Sequence, residues 1–258
     1  MLDATKLKLD HPCMDFSDHY ITPKWPAPKN IIAACTTRLG GNSLAPYSSF
    51  NPASHVGDNI KNVIDNRKKI IDDYQLRHPI RWLEQTHGTN AIAIDDSEAS
   101  THADACYTQS PQQTCAVLTA DCLPLLVCNK AGTEVAAIHA GWRGLLNGII
   151  ENTITKLISQ PNELLVWLGP AIGPKHFEVN DEIRQLFISK NILNKNAFSM
   201  NGQSIFADIF QLARNTLATM SITNIYGGEH CSFDEEDLFF SYRRDNKTTG
   251  RMASFIHL

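Results

Sequence analysis

The chain has 258 residues, of which 43% are hydrophobic and 19% charged, with a formal net charge of −4. That balance supports a sizeable folded core. It gives no electrostatic pull towards nucleic acid or an anionic membrane, and no apolar run approaches the ~20 residues that span a bilayer. The opening stretch "MLDATKLKLDHPCMDF" lacks the apolar segment of a signal peptide, so a cytoplasmic location is expected. Seven cysteines, an odd number with no C-x-x-C pair, read as core thiols rather than a disulfide framework.

In chain order, residues 1–30 read as an irregular lead-in, because three prolines interrupt "ITPKWPAPKN". "IIAACTT" (31–37) predicts a buried strand, stopped by "RLGGNS". Residues 59–76 carry Ile60, Val63, Ile64, Ile71 and Tyr74 at helical spacing, with Asp58 as the expected N-cap. Short strands are predicted at 80–86 and 90–95, on either side of "HG". "CAVLTADCLPLLVC" (115–128) predicts two strand segments, or one bent strand, broken at "TADC" and Pro124. A further strand follows at 134–139. From Leu145 the apolar period changes to that of a helix reaching Ile158. "ELLVWLGPAIG" (163–173) predicts a strand ending in a Gly-Pro loop. Helices are expected near 181–190 and 207–220, and a last strand at "MASFIHL". No linker divides the chain. The fold expected is α/β, in the looser α+β sense: one mixed-sheet domain over residues 1–258 with flanking helices.

Three residues with metal-ligand chemistry fall at predicted strand ends or breaks: His87 in "QTHGTN", Cys122 in "TADCLP" and His139 in "HAGWRG". Their spacings of 35 and 17 residues are too long for a zinc finger and suit a site assembled by the fold. Two imidazoles and a thiolate, with one position left open, is the pattern of a catalytic zinc site. The same residues serve two other readings: surface or capping side chains, or a metal-free nucleophilic pair with Cys122 attacking and His139 or His87 as base.

The segments "TTRLGGNS", "WLEQTHGTN", "AVLTADCLPLLVC", "AAIHAGWRGLLNGIIENTI", "WLGPAIGPKHFEV" and "FFSYRRDNKTTGRMAS" occur in order from about residue 31 to the end. Together they resemble the YfiH family, also called the laccase-domain or multicopper polyphenol oxidoreductase family. The resemblance implies a YfiH-like mixed α/β fold and a metal site at His87, Cys122 and His139. Zinc is the metal usually named, and copper is possible. It also implies a purine nucleoside enzyme. Such an enzyme would phosphorolyse adenosine, inosine, guanosine or methylthioadenosine to the base and the ribose 1-phosphate, and would deaminate adenosine to inosine. The partners implied are therefore small nucleosides and phosphate. Bacterial members are also called peptidoglycan editing factors. That alternative is amide hydrolysis on cell-wall precursors, with zinc-water or Cys122 as nucleophile. A third class is a non-catalytic metal-binding protein. Polyphenol oxidase chemistry is the weakest expectation, because multicopper oxidases draw on paired histidines and this chain has ten histidines with no H-x-H.

Deamination needs a carboxylate to move protons. Asp104, Asp121 and Glu84 are the candidates; Asp104 is preferred, and Asp121 is expected to be structural. Phosphorolysis needs an anion site, for which Arg38, Arg143, Arg243 and Arg244 stand on the motif loops. Arg143 is expected just before the helix that starts near Leu145, where free N–H groups favour an anion; the alternative for Arg143 is an ion pair that fixes the turn. Catalytic roles are thus assigned to Cys122, Asp104 and Arg143. Trp142 is expected to be a packed core residue.

Overall fold

The computed structural model describes residues 18–258; residues 1–17 of the lead-in expected over 1–30 lie outside the described residues. In chain order the strands are β1 (Tyr20–Ile21), β2 (Ile32–Thr36), β3 (Ala91–Ala93), β4 (Ala105–Thr108), β5 (Thr114–Thr119), β6 (Leu123–Asn129), β7 (Val135–Ala140), β8 (Leu164–Leu168), β9 (Glu178–Val179), β10 (Phe198–Asn201), β11 (Ser204–Ala207), β12 (Ile225–Gly227) and β13 (Met252–His257). The helices are α1 (Ile60–Asp73), α2 (Trp142–Asn147), α3 (Ile149–Ile154), α4 (Asp181–Lys190) and α5 (Ile209–Thr219).

Two sheets form the centre. One has six strands in the order β12-β8-β6-β7-β4-β3, parallel only at β12–β8 and β3–β4; the other has four antiparallel strands in the order β1-β2-β13-β5. Strands β5, β6, β7, β8 and β13 are buried along their whole length. Both faces are covered, so they read as continuous apolar runs rather than alternating ones. The two-residue period then sorts the side chains. Leu126, Cys128, Val135, Ala137, Leu165 and Trp167 face Ala33, Cys35, Cys115, Val117, Met252 and Ile256 between the sheets. Leu123, Leu125, Val127, Ile138, Val166 and Leu168 point the other way, onto α2, α3 and α5. On the far side of the four-stranded sheet, Ala34, Ala116, Leu118, Ala253 and Phe255 pack with Tyr20 and with Ile70 of α1. The result is four layers: helix, sheet, sheet, helices. No helix among the described residues is long and apolar enough to cross a membrane.

Several sequence expectations need correction. Residues 80–86 form no strand; the Gln85 side chain instead makes both bonds of a ladder step, accepting from Leu118 N at 2.7 Å and donating to Leu118 O at 2.8 Å. The N-cap of α1 is Asn59, whose side chain accepts from Lys61 N, while the Asp58 carboxylate binds Ser43 and Asn51. The helix expected to begin near Leu145 starts at Trp142 and breaks into α2 and α3, because Gly148 takes a left-handed φ of 104° between them. The lead-in contributes the short strand β1. The small sheet β10-β11-β9 was not expected at all.

Candidate functional site

His87, Cys122 and His139 come from three separate segments, two loops and the end of a strand, and their ligand atoms lie within 4.8 Å of one another. His87 precedes β3 on a loop with a left-handed φ of 60°. Cys122 lies in the tight turn between β5 and β6, and His139 is the buried penultimate residue of β7. Cys122 Sγ and His87 Nε2 are 3.8 Å apart, and the two imidazole rings meet edge to face at 4.8 Å. Tetrahedral zinc with bonds of about 2.0–2.3 Å sets neighbouring ligand atoms about 3.3–3.8 Å apart, so the Cys122–His87 separation suits such a cation. A side chain at residue 141 would obstruct this approach: a Cβ on Gly141 would stand 2.8 Å from His87 Cδ2 and 3.2 Å from Cys122 Sγ. That explains the first glycine of "HAGWRG".

Asp104 organises the cluster from behind. Its carboxylate accepts from Gly88 N at 2.7 Å, His87 N at 2.9 Å, Thr86 N at 3.2 Å and Thr86 Oγ1 at 3.1 Å. Its Oδ1 is 2.7 Å from His139 Nδ1. One carboxylate therefore fixes the His87 loop and leaves His139 Nε2 as the free ligand atom. Burial opposes the charge, but His139 and the two amides hold the Asp104 carboxyl below its ordinary range. The donors on this fully buried carboxylate are those that would position His87 and His139 rather than those of a group exchanging protons with substrate, which was the role expected for Asp104. Burial also raises the Cys122 thiol, yet the His139 charge and hydrogen bonds from His139 and His87 bring it down to about 6. Against its own burial, His139 is raised to about 9 by Cys122 and Asp104. With no cation bound, thiolate and imidazolium stabilise each other; His139 Nε2 becomes a ligand atom only on losing that proton.

Of the other predicted residues, Asp121 has a left-handed φ of 89° and ties the Cys122 turn to a distant loop, accepting from Ser232 Oγ at 2.7 Å and Arg243 N at 2.6 Å. Glu84 is exposed and pairs with His102, away from the cluster. Arg244 corrects an expectation: all five of its N–H donors are engaged by Asp245, Ser232, Phe233 and Phe239, so it clasps a loop and has none left for phosphate. Arg143 lies inside the first turn of α2 rather than before it. Its guanidinium rests 4.4 Å over the Trp142 ring, and among the described residues no carboxylate pairs with it. A six-residue helix offers little dipole, which removes the helix end from the expected anion site. Arg38 is held by Ser48 O and Glu236 O over the Phe240 ring, and Arg243 reaches His176 O. Trp142 is half-buried against the core.

One basic residue beside the cluster was missed. Arg251 lies within electrostatic reach of Cys122, Asp121, Tyr242 and Tyr47; burial lowers its guanidinium from the ordinary value and these neighbours oppose that. Its Nη1 bonds Thr249 O and Gly250 O at 2.9 Å. The signal was an arginine directly before the last strand, within "TTGRMAS".

A family model described as multi-copper polyphenol oxidoreductase laccase matches residues 32–258. The chain belongs to this family. This laccase-family chain is 50% identical to the Escherichia coli protein named purine nucleoside phosphorylase YfiH, covering 92% of this chain and 98% of that one. It is 46% identical to a Haemophilus influenzae protein named purine nucleoside phosphorylase, with the same coverage. A crystal structure of a Neisseria meningitidis protein superposes with a TM-score of 0.89 at 42% identity, covering 93% of this chain and 99% of that chain. The structure of YlmD from Geobacillus stearothermophilus gives a TM-score of 0.81 at 30% identity, covering 93% and 96%.

Proposed function

We propose that this laccase-family protein is a zinc-dependent purine nucleoside phosphorylase acting on adenosine, inosine, guanosine or methylthioadenosine. The observation that carries the reading is the His87–Cys122–His139 cluster, organised by Asp104 and flanked by Arg251. The names of its relatives give the substrate class. In the reaction, the bond from C1′ of the ribose to the purine nitrogen breaks and a phosphate oxygen bonds C1′. The purine leaves with the electron pair and takes up a proton. A bound zinc ion would supply a Lewis acid that polarises a donor atom of the substrate.

The protein's part is positioning and charge. His87, Cys122 and His139 would hold the cation, and Asp104 keeps the His139 ring oriented through Nδ1. Arg251 lies within electrostatic reach of Cys122 and Asp121; Arg143, Arg243 and Arg38, on their own motif loops, are the other candidates to hold phosphate. Adenosine deamination asks for a carboxylate with a free oxygen at the cluster. Asp104 and Asp121 are both engaged, so phosphorolysis is the activity the geometry favours.

The Cys122–His139 pair is also the observation behind the alternative, amide hydrolysis of peptidoglycan precursors with Cys122 as nucleophile. One experiment separates them. Native and Cys122→Ala protein are incubated with adenosine and phosphate, with and without a chelator, and products are resolved by chromatography. Adenine and ribose 1-phosphate formed only by native, zinc-loaded protein is the expected result, with inosine as the mark of deamination. No turnover at full zinc occupancy would overturn the nucleoside reading. Chelator-resistant amide cleavage would establish the alternative.

A further inference from the structure

A second group of metal-ligand side chains lies outside the cluster described above: His176, Cys231 and Asp234, with ligand atoms all within 4.8 Å of one another. Its residues come from two loops. Cys231 and Asp234 share one turn at C-x-x-D spacing, the separation that lets two side chains grip one ion from a single knuckle. His176 enters from the loop after β8, stacked on Phe233 with ring centroids 4.0 Å apart and planes at 11°. Its Nε2 meets Asp234 Oδ1 at 2.5 Å.

We propose that His176, Cys231 and Asp234 bind a zinc-class divalent cation that staples the 230–245 loop to the loop following β8. Four observations support this. First, the donor set is one sulfur, one imidazole nitrogen and one carboxylate oxygen, which selects zinc-class metals over magnesium or calcium. Second, a thiolate and a carboxylate together balance the charge of a dication. Third, the turn around the sulfur is built for a thiolate, since Cys231 Sγ accepts from Gly173 N at 3.2 Å and from Asp234 N at 3.4 Å. Fourth, the His176 and Asp234 side chains are 26% and 52% exposed, which gives an ion a way in from solvent.

The geometry needs one adjustment. Tetrahedral ligation sets nitrogen and oxygen ligands about 3.3 Å apart, so the His176–Asp234 contact must open by under about 1 Å. The Asp234 side chain is 52% exposed and free to swing. The staple would also bear on the first cluster through Asp121, next to Cys122, which accepts from Ser232 and from Arg243 N of the stapled loop.

The test is metal stoichiometry, which does not depend on what the first cluster catalyses. Purified full-length protein is stripped and titrated with cobalt(II), followed by thiolate-to-cobalt absorption and elemental analysis. Two ions per chain are expected for native protein. One is expected for each of His176→Ala and Cys231→Ser, and one, still with a thiolate band, for Cys122→Ala. Circular dichroism confirms that each variant is folded. His176→Ala leaves every cysteine in place, so it stands in for Cys231→Ser if that variant does not fold. A cobalt count in folded His176→Ala equal to that of native protein would overturn the proposal.

Discussion

Asp104 shows how much a single side chain can decide. It collects three backbone amides, a hydroxyl and an imidazole, and joins His87 and His139, two of the three clustered residues, into one rigid unit. An asparagine there keeps the shape but turns an amino group towards amides that need an acceptor, and it removes the charge that raises His139. Asp104→Asn should therefore weaken zinc binding about 10–100-fold, read by competition with a chromophoric chelator. Cys122 allows a sharper test through pH. Its pKa is lowered to about 6, so in chelator-stripped protein the thiolate persists down to that pH and is lost below it. Alkylation by iodoacetamide should show a midpoint near pH 6 at Cys122, whereas Cys35 and Cys128, pushed up by burial to about 12, stay unreactive. A midpoint near the ordinary thiol value would remove the thiolate–imidazolium pair from the site.

At the scale of elements, the break between α2 and α3 holds "HAGWRG" in place. An apolar helical pattern running from Leu145 to Ile158 would suit a single helix, yet Gly148 at φ 104° ends α2 and redirects the chain. Alanine in that left-handed conformation costs about 1–2 kcal/mol. Gly148→Ala should lower Tm by several degrees in calorimetry; an unchanged or raised Tm would mean that the chain straightens into one helix. The clasp formed by Arg244 and Asp245 belongs to the same scale. Burial opposes ionisation of Asp245, but Arg244 and Thr249 bring its carboxyl below the ordinary value. A carboxyl lowered in the folded state contributes stability that is complete above its unfolded pKa and disappears as pH falls through the folded one. Asp245→Asn should thus cost stability at neutral pH and little in strong acid, as seen by denaturant titration at both.

In the whole molecule, four layers keep the ligand turns at the ends of strands whose bodies are fully buried. The layer between α1 and the four-stranded sheet, around Phe255 and Tyr20, lies apart from the His87–Cys122–His139 cluster. Phe255→Ala should remove about 3–5 kcal/mol from unfolding while leaving zinc affinity unchanged. A matching loss of affinity would mean that the layers are mechanically coupled.

Much of this was written locally in the chain. The buried strands were legible because burial on both faces makes them continuous apolar runs, and α4 and α5 because their apolar spacing is helical. His87, Cys122 and His139 were legible because few other side chains of that chemistry stand at strand ends beside glycine or proline. The tertiary structure decided the rest, for one physical reason: the deciding partners are far apart in sequence. Gln85 replaces a strand by bonding Leu118, Asp104 becomes a positioning group only once the 86–88 loop folds over it, and Arg244 closes on carbonyls of residues 232, 233 and 239. The same holds for His176, which meets Cys231 and Asp234 across a separation that no local pattern records. Sequence alone set which side chains were available and which segments would be buried. Only the folded chain set which of them share a site.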